Sequence, residues 1–172
     1  MSALELTFHP DFYFFLNRDR QKAIPFLVLH RGASVKDIIE SLGVPHTEVG
    51  RILVRTRSKL QDMGENNGAS VDFDCVPRDQ DRIFIYPPVP PVDVTLPTLL
   101  RPLPFKCLKF VADVNVGALA RLLLSLGFDT LYSNSFSDEQ VAQIAERQQR
   151  VVLTRDTGLL KRKKVIFARR VR

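Results

Sequence analysis

Residues Leu108–Ser133 read LKFVADVNVGALARLLLSLGFDTLYS. An apolar burst, Leu108-Lys109-Phe110-Val111-Ala112, runs straight into a carboxylate, Asp113. Burying a charge is costly unless it is paired. A strand that ends on one therefore points to a ligand edge or to a helix cap. Val116, Leu119, Ala120 and Leu123 follow at helical spacing, and Gly127 stands where a helix-terminating glycine belongs. Leu131-Tyr132 reads as a short strand. Ser137 with Gln140 three residues on forms a capping-box signature for a second helix, whose inner face is Val141, Ile144 and Ala145. Arg150-Val151-Val152-Leu153-Thr154-Arg155-Asp156 is a β-branched strand that again ends in aspartate, and Lys164–Ala168 is expected to add one more strand.

This β-α-β-α-β order predicts a parallel sheet with helical crossovers. The carboxyl ends of such strands lie along one edge, where ligands bind. Asp113 and Asp156 both fall just past a strand end. If their strands are neighbours the side chains converge, and Asp138 or Glu139 at the start of the intervening helix can approach them. Two like charges ~4 Å apart repel by roughly 4 kcal/mol at an effective dielectric of ~20. Shifted protonation or a divalent cation must offset that, and hard oxygen donors favour magnesium or manganese. Simpler readings stand beside this one. Asp113 can cap the helix after it, Asp138 and Glu139 can complement a helix N-terminus, and Asp156 before Thr157-Gly158 can serve a turn. Asn115 can be a turn or cap residue, and Asp129 is read as structural.

Upstream, Pro87, Pro88, Pro90, Pro91, Pro97, Pro102 and Pro104 cluster in a stretch that can be neither regular helix nor central strand. We read residues 91–106 as a semi-extended linker dividing the 172-residue chain into parts 1–90 and 107–172. The first part carries strands at Ala3–Phe8, Ile24–Leu29, Ile52–Arg55, Val71–Asp74 and Ile83–Tyr86. It has one helix, with Ser34 as N-cap, Val35, Ile38, Ile39 and Leu42 facing inward, and Gly43 as the stop. Gly64–Gly68 is a loop. The class is α+β for this part and α/β overall.

The formal net charge is +6, concentrated at the end: from Arg150 onward nine basic residues face one acid, Asp156. Such a segment attracts polyanions through counterion release, or else is a solvated tail. No apolar run is long enough to span a membrane, and Arg121 interrupts the longest. Met1–His9 lacks the pattern of a signal peptide. Cys75 and Cys107 stand far apart, which fits a reducing cytoplasm. His9, His30 and His46 show no metal-ligand spacing and are expected at the surface or at strand ends.

Asp79-Gln80-Asp81-Arg82-Ile83-Phe84-Ile85-Tyr86-Pro87-Pro88-Val89 resembles the closing strand of β-grasp, ubiquitin-like domains. That resemblance implies a β-grasp fold over most of residues 3–90. Sulfur carriers of this fold end in a Gly-Gly tail. Here Val89-Pro90-Pro91-Val92 follows, which leaves a binding or scaffolding role.

Phe110–Asn115, Leu126–Leu131, Ser137-Asp138-Glu139 and Arg150–Leu160 together resemble the PIN-like RNases, in the branch named after the C-terminal RNase domain of the mut-seven exonuclease. Val152-Leu153-Thr154-Arg155-Asp156 is the most specific motif. Some bacterial members of that branch carry a ubiquitin-like domain in front. The resemblance implies a metal-dependent ribonuclease with Asp113, Asp138 and Asp156 as catalytic acids and metal ligands, and Glu139 in reserve. It implies Asn115 and Thr154 as polar neighbours of the acids that also bind substrate, and we expect Arg155 and Lys161 to position phosphate. The implied cofactor is Mg2+ or Mn2+, and the implied partner is RNA. Family members continue with further helix, strand and a cysteine-rich zinc ribbon. The second part is therefore expected to be truncated, with Leu122, Leu124 or Phe167 uncovered and a homo-oligomer or protein partner over them.

The sequence admits two other classes. A non-catalytic RNA- or protein-binding adaptor would keep the fold without cleavage. A phosphatase of haloacid-dehalogenase type usually needs an aspartate two places after the first, where Asn115 stands. No glycine-rich loop follows the first strand to admit a dinucleotide.

Overall fold

The computed structural model describes residues 2–16, 26–30, 32–56 and 68–171. It divides into two compact units, 1–90 and 91–172.

In the first unit, β1 (Ser2–Phe8) is central to a mixed sheet of order β2-β1-β5-β3-β4. Its partners are β2 (Phe26–His30), β3 (Arg51–Arg55), β4 (Ala69–Ser70) and β5 (Arg82–Tyr86). β1 and β5 run parallel; the other pairs are antiparallel. Leu4, Leu6, Phe8, Ile52, Ile83 and Ile85 are buried together with Val35, Ile38 and Ile39 of helix α1 (Val35–Ser41). Ser34 caps α1 through Asp37 N, and Gly43 ends it at φ +114°, where a Cβ would also strike the Phe15 carbonyl. The expected strand at Val71–Asp74 does not form; the ladder is confined to Ala69–Ser70. Just beyond it, the carbonyls of Phe73 and Cys75 accept from Lys36 N and Val35 N, so the chain satisfies the open end of α1 instead of extending a ladder. Residues 24 and 25 of the second expected strand, and 64–67 of the expected loop, lie outside the described residues. His46 also departs from expectation. It is 6% exposed, 2.6 Å from Glu40 Oε1, with its ring edge-on to Phe73.

In the second unit all strands are parallel, in the order β7-β6-β8-β9. β6 (Phe110–Ala112) and β8 (Val151–Thr154) are central, β7 (Thr130–Tyr132) and β9 (Ala168–Arg170) are edges. Every residue of β8 is buried, as a strand covered on both faces requires. Helices α2 (Gly117–Ser125), α3 (Asp138–Gln148) and the single turn α4 (Thr157–Leu160) make the crossovers. Gly127 closes α2 at φ +82°, with Phe128 N donating to Leu123 O, and both halves of the Ser137/Gln140 capping box open α3.

The last strand starts at Ala168, not Lys164. Val165 N–H turns back to Arg162 O and the Lys164 ammonium is drawn to Glu139 and Glu146; the chain first bonds to β8 through Phe167 O, which accepts from Val152 N, and pairs with it from Ala168. Phe167 is buried, contrary to expectation. Its ring packs 4.6 Å from that of Phe105 and under the Arg101 guanidinium. The segment expected as a linker thus contributes Val94 and Phe105 to the core of this unit. Leu122 and Leu124 are half-exposed, as the sequence suggested.

Candidate functional site

The register sets the site. Ala112 pairs with Leu153, so β6 and β8 end level, and Asp113 and Asp156 follow those two ends. Asp113 N donates to Leu153 O, which ties the first turn after β6 to the neighbouring strand.

Asp113 is 2% exposed, and its carboxylate is fully engaged. Oδ1 accepts from Val114 N at 2.6 Å; Oδ2 accepts from Asn115 Nδ2 at 2.7 Å and from Thr154 Oγ1 at 2.6 Å. These three donors satisfy the oxygens of a carboxylate that is buried away from water. Thr154 is fully buried, and its hydroxyl also accepts from Asp156 N at 2.9 Å. Asn115 Oδ1 in turn accepts from Arg155 N at 3.0 Å. Asp156 caps α4 by accepting from Gly158 N at 2.7 Å. A side chain at Gly158 would place Cβ 3.3 Å from Asp156 Oδ1, so the glycine gives the carboxylate room. Both aspartates therefore do the capping work of the simpler reading, and both face the same rim.

Asp138 joins them from the first turn of α3. Its carboxyl is held above the ordinary carboxylate range, first by partial burial, then by the charges of Asp156 and Asp113, and further by a side-chain hydrogen bond with Asp156; Arg162 opposes the shift. Glu139 stands apart from this set. It accepts from Gln143, Arg162 Nη1 at 2.7 Å and Lys164 Nζ, and these partners hold its carboxyl below the ordinary range. Arg162 Nη2 lies 4.0 Å from Asp138 Oδ2. Nothing in the sequence announces that Arg162 and Lys164 engage Glu139, since no spacing links positions so far apart. The Arg155 side chain is exposed, and Lys161 is the half-buried C-cap of α4. Asp129 accepts from the buried Arg150 at 2.6 Å and is structural, as read.

The C-terminal unit matches the Mut7-C RNAse domain over residues 108–171, and the N-terminal unit matches the Mut7-C ubiquitin domain over residues 1–93. The chain belongs to the Mut7-C ubiquitin family. It joins a ubiquitin-like domain to a ribonuclease-like domain. No curated protein and no solved structure matches the chain. Among the described residues, no helix is long and apolar enough to cross a membrane.

For a metal, the Mut7-C site offers the right kind of donor. Three aspartates supply hard oxygens only; burial first, and then the charges of Asp156 and Asp113, raise the Asp138 carboxyl, and a divalent cation would relieve the second of these. Among the described residues, no three His, Cys, Asp or Glu side chains are already gathered as a ligand set. The acids share one field, then, without a closed cage.

Proposed function

We propose that the chain is a metal-dependent ribonuclease that hydrolyses RNA phosphodiester bonds, with Asp113, Asp138 and Asp156 holding Mg2+ or Mn2+. The observation that carries this reading is the register that sets the ends of β6 and β8 side by side and ties Asp113 and Asp156 to the one Thr154 hydroxyl, in a chain whose second unit matches a ribonuclease-like domain. A bound divalent cation supplies Lewis acidity toward the phosphate and lowers the pKa of water. The protein's part is positional. Thr154 and Asn115 hold Asp113 in one orientation, Gly158 leaves space for Asp156, and the exposed Arg155 reaches toward substrate phosphate with Lys161 beside α4. Attack on phosphorus by water breaks the P–O bond to the leaving nucleotide, and the leaving oxygen takes a proton.

The free thiols of Cys75 and Cys107 suit a reducing compartment, and we place the protein in the cytoplasm. The exposed Leu122, Leu124 and Leu126 suit a protein partner or a second copy. Labelled RNA with Mn2+ or Mg2+ tests the activity. Cleavage that EDTA abolishes, and that Asp113→Asn and Asp156→Asn each remove while RNA binding persists, is the expected result. One observation favours a second reading, a non-catalytic RNA- or protein-binding adaptor: no ligand set is gathered beforehand among the described residues. Metal-independent binding without any cleavage by the wild type would select it.

A further inference from the structure

The register of the N-terminal sheet sorts its side chains into two faces. Arg51 pairs with Tyr86, Leu53 with Phe84 and Arg55 with Arg82, so these six share one face of β3 and β5. The alternate residues Ile52, Ile83 and Ile85 are fully buried and form the core face. On the outer face Leu53 is also buried, while Arg51 and Arg82 at its two ends are exposed. This face carries two half-buried aromatic rings on one strand and three arginines around them.

Each ring is decked by a guanidinium. The Arg51 guanidinium carbon lies 4.9 Å from the Tyr86 ring centroid, and that of Arg55 lies 4.6 Å from the Phe84 centroid. Arg82 pairs with Glu5 at 3.0 Å, whereas the exposed Arg51 has no ion-pair partner among the described residues. A cavity of about 350 Å³ opens beside Arg51 and Tyr86, with His9, Gly50 and Pro88 in its wall. That wall is tightly set, since a Cβ on Gly50 would come within 2.3 Å of Pro88 Cα.

We propose that this face of the ubiquitin-like domain binds single-stranded RNA, with Arg51 on phosphate and a base stacked on the Arg51–Tyr86 deck at the cavity mouth. The chemistry is that of a flat cation: a guanidinium offers a planar face to any base and N–H edges to a phosphate. Stacking selects single strands. A base can lie on the Tyr86 deck only where one of its faces is open, which the splayed bases of a single strand offer and the stacked, paired interior of a duplex does not. An acidic protein surface would match the charge but would leave the aromatic decks unused. This inference deepens the ribonuclease reading by giving the ubiquitin-like domain a substrate-holding role, and it rests on RNA being the substrate.

The test uses the full chain carrying Asp113→Asn, so that cleavage cannot intrude, and a labelled single-stranded oligouridine titrated at several salt concentrations without metal. Tyr86→Ala is expected to weaken binding by roughly 5- to 150-fold, the range for losing one base stack. Arg51→Gln is expected to lower affinity and to reduce the slope of log K against log salt by about 0.7, one phosphate on a single strand. Arg51→Lys should keep that slope yet lose affinity, because charge survives and the plane does not. Thermal melts confirm that each variant is folded. Unchanged affinity and slope in folded Tyr86→Ala and Arg51→Gln overturn the proposal, as does displacement of nothing but polyglutamate from a chain that ignores RNA. Metal-dependent cleavage by the otherwise unaltered chain is scored separately. Binding without cleavage would sink the nuclease reading and leave this site standing; cleavage with intact binding in both variants would do the reverse.

Discussion

The Thr154 hydroxyl donates to Asp113 Oδ2 at 2.6 Å and accepts from Asp156 N at 2.9 Å, so one buried side chain fixes both acids of the rim. Thr154→Val keeps the shape and removes both bonds. Leaving a buried carboxylate oxygen and a backbone N–H short of partners costs about 1–3 kcal/mol. Urea unfolding should report that loss, and metal-dependent cleavage should fall further than the stability change accounts for. Thr154→Ser restores the hydroxyl and should recover most of the cleavage. Equal activity in the Val and Ser variants would make Thr154 a packing residue only.

Asp138 gives a prediction with opposite signs. Its folded-state pKa is raised, so the folded chain holds that proton more tightly than the unfolded chain does. Stability from this group is thus greatest at low pH and falls as pH rises from the unfolded carboxylate value through the raised folded one. Asp138→Asn removes the repulsion. Without divalent ions at neutral pH its melting temperature should equal or exceed that of the wild type. With excess Mn2+ the wild type should gain stability, and Asp138→Asn should gain less. A larger metal-induced shift in the variant would remove Asp138 from the metal site.

Glu40 runs the other way. Burial pushes its carboxyl up, but the hydrogen bond and charge of His46, with Lys36 behind them, outweigh burial and hold it below the ordinary range. The contribution of this group is present above the unfolded carboxylate value and is lost as pH falls through the lower folded one. Glu40→Gln should flatten the acid limb of the stability curve of the N-terminal unit. An acid limb identical to that of the wild type would show that His46 needs no carboxylate partner.

Gly158→Ala tests how much room Asp156 needs. The added Cβ would stand 3.3 Å from Oδ1, so the carboxylate must yield by a few tenths of an ångström. Cleavage should drop while the fold is kept, because alanine suits a helical turn better than glycine does. Full activity with a higher melting temperature would mean that the Asp156 carboxylate moves freely.

How far the sequence could be read follows from the range of each signal. Local ones succeeded: Ser34 and the Ser137/Gln140 pair cap helices, Gly127 ends one, and the all-buried β8 reads as a run of β-branched residues. The two strand-ending aspartates were visible because parallel topology sends every strand's carboxyl end to one edge. Signals that depend on distant partners were missed. The last strand slid to Ala168 because Lys164 was claimed by Glu139 and Glu146, acids on another helix. His46 looked like a surface histidine because nothing local announces that Glu40 and Phe73 will enclose it.

The Phe105–Phe167 stack has a practical consequence for anyone trimming the protein at the bench. A fragment cut to residues 108–171, the span that matches the nuclease family, would leave behind Val94 and Phe105 and strip the cover from Phe167. Such a piece should clump or melt early, and an idle assay on it would say nothing about catalysis; a start at residue 91 keeps the hydrophobic plug in place.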